Sequence, residues 1–200
     1  GDAYIVIQNK GEPSNLLVRT IMTLDTLENT NPRRVNLIVP YLPFSRQDKK
    51  RADNRAVASR VLANLFNSGF VSNIFTFDLH NPVITDYFKC PVYNLTMLDH
   101  FIKYFQSLDL KDVVIVAPDH GRFNAAKYVA EAFNNASFVL INKIRTSTHS
   151  VEVMGIEGDT KGKTALIIED IIDTGNTLVS AVSALKAQGA KEVYVAATHG

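Results

Sequence analysis

The 200-residue sequence lacks most of what would send a chain out of the cytosol or into a bilayer. It carries one cysteine, Cys90, so no intramolecular disulfide can form. No basic-then-apolar leader opens it, and a cytosolic setting is the expectation. No apolar run approaches the roughly 18 residues that span a membrane. Neither sign of charge is in excess, because 21 Lys and Arg face 20 Asp and Glu and leave +1. No bulk field therefore selects nucleic acid or an anionic surface, and any anion must be held by local geometry. Short-period repeats, low-complexity tracts and Gly/Ser linkers are missing too, so a domain boundary has to come from architecture; it is expected near residues 94–108. What is present is a 22.2 kDa chain, 46% hydrophobic and 20% charged, enough to bury a core as one large domain or two small ones, and disorder is excluded. Gly1-Asp2-Ala3 runs straight into the apolar Tyr4-Ile5-Val6-Ile7, and the chain stops at Thr198-His199-Gly200 directly after a strand-like run, so it reads as a segment of something longer.

Short β-branched runs alternate with stretches of helical period, the pattern of βα units around a mainly parallel sheet. Strands are expected at 4–8, 35–40, 72–77, 112–117, 137–142, 164–168 and 192–197. Helices are expected at 56–66 and 95–105, where apolar residues share one face, and again at 121–133 and 176–186. Gly189 suits a left-handed helix end. In open α/β sheets the ligand crevice lies at the carboxyl ends of the strands, so the loops there carry the chemistry.

Five such loops stand out. In Ile167-Ile168-Glu169-Asp170-Ile171-Ile172-Asp173-Thr174-Gly175-Asn176-Thr177, small hydroxyl residues and glycine let backbone N–H groups converge at a helix N-terminus, a cradle for phosphate. Glu169 and Asp170 are expected to project toward the same region, able to hold sugar hydroxyls or a hydrated Mg2+; the plain alternative is a helix capped by Asp173 or Thr174. Around Gln47, which can hydrogen-bond a base edge, Arg46, Lys49, Lys50, Arg51 and Arg55 concentrate positive charge; a nucleotide loop, a solvated basic loop and a nucleic-acid patch all fit. His80, in Phe77-Asp78-Leu79-His80-Asn81-Pro82, reads as a metal-region residue or a structural hydrogen-bonder. Pro118-Asp119-His120-Gly121-Arg122 places an acid before a tight strand-to-helix turn that Gly121 would permit, with Arg122 either adding a phosphate contact or capping a crowded turn. Lys143 and Arg145 end a strand ahead of a polar run at 146–150.

The acidic loop closely resembles the ribose 5-phosphate signature of type I phosphoribosyltransferases. The segment Pro40-Tyr41-Leu42-Pro43-Phe44-Ser45-Arg46-Gln47-Asp48-Lys49-Lys50 resembles the nucleotide loop of ribose-phosphate pyrophosphokinases, which plain phosphoribosyltransferases lack. All five segments fall in that family's order and span almost the whole chain. The resemblance implies an α/β fold of two phosphoribosyltransferase-like domains with mainly parallel sheets, 1–100 carrying the ATP loop and 101–200 the ribose 5-phosphate loop, without the family's extreme N- and C-terminal parts. It implies that Arg46, Gln47, Asp48, Lys49 and Lys50 bind ATP. It assigns ribose 5-phosphate to Glu169, Asp170, Asp173, Thr174, Gly175, Asn176 and Thr177. It places Mg2+ near Asp78, His80 and Asp119, and makes His80, Lys143 and Arg145 catalytic, the latter two neutralising the transferring pyrophosphoryl group.

The implied reaction is attack of the anomeric hydroxyl of ribose 5-phosphate on the β-phosphorus of ATP, in a homo-oligomer built from dimers to hexamers, with no nucleic-acid or membrane partner. Lys89 and Tyr93 stand where the family often has further acids, and His120 and Arg122 where its residues are usually small. Two competing readings follow: a phosphoribosyltransferase, and a degenerate regulatory subunit that binds nucleotide without turnover.

Overall fold

The computed structural model describes residues 1–8, 12–48, 56–145 and 151–200, and for 143–145 and 151–154 only the backbone. The chain divides into two compact units, Gly1–Thr96 and Met97–Gly200. Both are α/β and their sheets are mainly parallel.

The first unit holds a four-stranded, all-parallel sheet of β1 (Asp2–Val6), β2 (Arg34–Ile38), β3 (Asn73–Phe77) and β4 (Val92–Leu95), in the order β1-β2-β3-β4. Between the strands lie α1 (Pro13–Glu28), α2 (Ala58–Asn67) and a 3-10 segment, Pro82–Tyr87. Leu24 of α1 and Leu62 and Phe66 of α2 are buried in one cluster with Leu37, Ile74 and Ile84. The sequence reading misses α1 and β4. No side chain caps α1, and its interior carries threonines whose hydroxyls bond back to the preceding turn, Thr20 to Leu16 O at 2.8 Å, which blurs the helical signal. β4 is a four-residue edge strand, mostly exposed.

The second unit is a five-stranded sheet in the order β7-β6-β5-β8-β9, from β5 (Val113–Ala117), β6 (Phe138–Arg145), β7 (Val151–Glu157), β8 (Thr164–Ile171) and β9 (Glu192–His199). Among the described residues only β6 and β7 pair antiparallel, with a register irregularity between Asn142 and Lys143. The helices are α3 (Leu98–Ser107), α4 (Phe123–Ala132) and α5 (Asn176–Ala187). Because strand side chains alternate, β5 and β8 feed two cores. Ile115, Ala117, Leu166 and Ile168 pack with Ala126 and Val129 of α4, while Val114, Val116, Ala165 and Ile167 pack with Ala181 and Leu185 of α5. Covered on both faces, these strands read as unbroken apolar runs, which is why the sequence reveals them. Gly189 follows α5 with φ +95. Among the described residues no helix is long and apolar enough to cross a membrane.

Candidate functional site

In the first unit, the nucleotide-loop segment leaves the carboxyl end of β2 alongside β3. The Val39 N–H donates to Phe75 O at 2.8 Å, and the Phe77 N–H to Pro40 O at 3.2 Å. The loop is fastened from within. Leu42, Pro43 and Ser45 are buried, and the Gln47 N–H reaches Phe44 O at 2.9 Å. The Gln47 carbonyl accepts from the N–H and hydroxyl of Ser59, at 3.3 and 3.1 Å, at the start of α2. Held by its backbone, the loop leaves the Arg46 and Gln47 side chains exposed. Phe44 sits at φ 61, a conformation that costs a bulky residue energy.

The Asp78-Leu79-His80-Asn81 segment leaves the neighbouring strand, β3, and meets this loop. The Asn81 side-chain amide donates to the Asp48 carboxylate, and the Tyr87 hydroxyl donates to Asp48 O at 3.4 Å. Asp78, at φ 39, donates its N–H to Leu95 O at 2.8 Å, and the Leu79 N–H reaches Asn94 Oδ1 at 3.0 Å. Thus Arg46, Gln47, Asp48, Asp78 and His80 arise from the carboxyl ends of two adjacent parallel strands, with His80 exposed and Asp78 half-buried. Lys49 and Lys50, with Arg51 and Arg55, lie outside the described residues. Asn81 is a residue that sequence reasoning left without a role. Its position before Pro82 signalled a helix start, and it does accept from the Val83 N–H at 3.2 Å, but its bond to Asp48 is tertiary. Tyr93 stacks on Phe75 across β3 and β4, ring centroids 4.8 Å apart, and Lys89 is exposed, its N–H donating to Asn67 Oδ1 at 2.8 Å.

In the second unit, α5 begins at the cradle segment. Its N-terminal flanking residue is Gly175, at φ 75 and ψ −11, which has no side chain with which to cap the helix. The first intrahelical bond is Val179 N–H to Gly175 O at 2.9 Å. The N–H groups ahead of it have no partner within the helix, and the positive end of the helix dipole adds to them. Among the described residues, its chain neighbours and the backbone of α5 aside, no atom lies within 4 Å of where a Gly175 Cβ would stand, so the loop opens outward there. Asp173, Thr174 and Asn176 are exposed, and Thr177 is half-buried.

Glu169 and Asp170 are not in a loop: β8 runs through both to Ile171, pairing Glu169 with Ala197 and Ile171 with His199. Both are buried, at 8% and 3% exposure. Arg122 reaches Glu169, its Nε standing 3.8 Å from Oε2, with the two side chains 19% and 10% exposed. Sequence gave no signal for this pair. Asp119 follows β5 in extended backbone and accepts the Arg122 N–H at 3.1 Å. Gly121 has no positive φ, so the turn does not draw on its special freedom; a Cβ would meet only Asp119 Oδ1, at 3.2 Å. Lys143 and Arg145 lie on β6 past the irregularity, opposite Val153 and Val151, and the polar run 146–150 lies outside the described residues.

Among the described residues no three His, Cys, Asp or Glu side chains converge as a metal site. Mg2+ in phosphoryl-transfer enzymes takes one or two carboxylates plus substrate phosphates and water, so a donor set of Asp78 with His80, or of Asp119 alone, suits a phosphate-borne ion and not a protein cage.

Comparison with known proteins shows the family. A model of the phosphoribosyl transferase domain matches residues 99–200, and a model of the N-terminal domain of ribose phosphate pyrophosphokinase matches residues 1–69. The chain is 38% identical over 200 residues to the ribose-phosphate pyrophosphokinase of Bacillus caldolyticus and 36% identical over 199 residues to that of Bacillus subtilis strain 168. It is covered over 100% and 99% of its own length but spans only 63% and 62% of theirs. A crystal structure of phosphoribosylpyrophosphate synthetase from Mycobacterium smegmatis superposes with a TM-score of 0.87 at 33% identity, covering 100% of this chain and 65% of that one. Two family models in the expected order and a similar fold along the full chain establish that it belongs to the ribose-phosphate pyrophosphokinase family, with a phosphoribosyltransferase domain in its second half.

Proposed function

We propose that this chain carries the nucleotide and ribose 5-phosphate sites of a ribose-phosphate diphosphokinase. The observation that carries the reading is the start of α5: a helix N-terminus opened by a left-handed glycine, beside a strand that ends in two buried acids. Such a terminus binds a phosphate through backbone N–H groups and dipole. The acids, acceptor-only when ionised, suit the ring hydroxyls of the same sugar.

In the reaction, the anomeric oxygen of ribose 5-phosphate forms a bond to the β-phosphorus of ATP and gives up its proton. The bond from that phosphorus to the oxygen it shares with the α-phosphate breaks, and AMP leaves. Residues 173–177 hold the sugar phosphate, and Glu169 with Asp170 hold the hydroxyls. Arg46 and Gln47, on a loop clamped by Ser59 and Asn81, meet the nucleotide, joined by Asp48, Lys49 and Lys50. Lys143 and Arg145 neutralise charge that develops on the moving group, as electrostatic catalysis of phosphoryl transfer requires. Mg2+, held by Asp78, His80 or Asp119 with the phosphates, would neutralise the triphosphate and orient it. Assembly into a homo-oligomer belongs to the same reading.

AMP release from MgATP, measured with and without ribose 5-phosphate, tests the reading. Sugar-dependent AMP supports it. Consumption of phosphoribosyl pyrophosphate with a base, or ATP binding without AMP, overturns it in favour of a phosphoribosyltransferase or a non-catalytic subunit.

A further inference from the structure

We propose that Arg122 is a sugar-hydroxyl ligand, working with Glu169 to recognise one ring hydroxyl of the phosphosugar. The inference rests on the function proposed above and adds a residue to its site. Arg122 Nε is buried and, among the described residues, has no hydrogen-bond partner. It lies 3.8 Å from Glu169 Oε2, beyond hydrogen-bond reach. A buried N–H donor left unmet is costly, and such groups in native proteins usually await a ligand or water.

The gap has a definite chemistry. A guanidinium only donates and an ionised carboxylate only accepts, whereas a hydroxyl does both. A hydroxyl oxygen set beside the pair accepts from Nε–H and donates to Oε2, meeting the buried Arg122 donor. A divalent cation at the same oxygen would face a guanidinium that never loses its charge. The pair therefore reads as a receptor for a neutral hydroxyl, and Arg122 directs Glu169 to sugar and away from metal.

The test is calorimetric binding of ribose 5-phosphate, 2-deoxyribose 5-phosphate and 3-deoxyribose 5-phosphate to the parent, Arg122→Gly and Arg122→Met. The ratio of affinities isolates the hydroxyl, since damage to the phosphate cradle weakens all three sugars alike. The parent is expected to favour ribose 5-phosphate over one deoxy sugar by about tenfold or more, the scale of a hydrogen bond to a charged group, and either variant should reduce that preference to about twofold. A parent that does not discriminate, or a folded variant with the parental ratio, overturns the role of Arg122 and leaves the proposed function standing. Failure of the parent to bind ribose 5-phosphate at all removes the proposed function, and this inference with it.

Discussion

Replacing Gly175 by alanine separates what the backbone of the cradle contributes from what its side chains do. The residue sits at φ 75, where an L side chain is disfavoured, yet nothing lies within 4 Å of the new Cβ. The cost is then conformational alone, about 1 kcal/mol once the stiffer unfolded chain is allowed for. Gly158→Ala supplies the contrast in the same unit. At φ 121 its Cβ would stand 2.7 Å from Val139 Cγ2 and 3.3 Å from Phe138 O, so overpacking of about 1–3 kcal/mol adds to a backbone cost at least as large. For a unit of this size about 1 kcal/mol lowers the melting temperature by roughly 4–8 °C. Gly175→Ala should fall in that range, and Gly158→Ala by about two to four times as much on the same scale. The chain has no tryptophan, so unfolding is best followed by far-UV circular dichroism in a urea or thermal series. Gly175→Ala should also weaken ribose 5-phosphate binding, because the N–H groups no longer hold their directions, while Gly158→Ala, distant in sequence from the cradle, should spare it in the folded fraction. A Gly175→Ala loss equal to or above that of Gly158→Ala would mean that a close approach at the cradle has been overlooked, and the open geometry ascribed to it would be refuted.

Asn81→Ala removes the amide that meets the Asp48 carboxylate, so the first unit should lose about 1 kcal/mol and the apparent KM for ATP should rise several-fold; equal stability and KM in denaturant titration and steady-state kinetics would sink the clamp. Lys143→Ala should lower kcat by about 10²-fold or more with both substrates still bound, since a charge met only in the transition state affects turnover and not ground-state affinity. Near-parental turnover would leave Lys143 a surface cation. Burial pushes the Cys90 thiol above its ordinary value, so the fold favours the neutral form. That contribution is complete below the unfolded thiol's pKa and is lost as pH rises above it. Iodoacetamide at pH 8 should label the native chain at least about tenfold more slowly than the urea-unfolded one; equal rates would contradict the burial.

Much of the α/β architecture was legible from the sequence, because β5 and the Ala165–Ile168 stretch of β8 are buried on both faces and read as continuous apolar runs. The turn into α5 was legible for a local reason as well: a glycine flanked by small polar residues ahead of an apolar helical run is a backbone instruction written within a few positions. Elements with weaker local chemistry were not: α1 lacks a capping side chain, β4 is short and exposed, and β7 is stabilised by its antiparallel pairing with β6. The acids at 169 and 170 were visible as a pair, but that β8 carries both of them into the sheet and buries them was not. The contacts of Asn81 with Asp48 and of Arg122 with Glu169 were invisible in one dimension. Each joins residues far apart in the chain that meet only because parallel strands bring their carboxyl ends to one side of a sheet. Sequence determined which chemical groups each loop carries, and tertiary structure alone decided which of them touch.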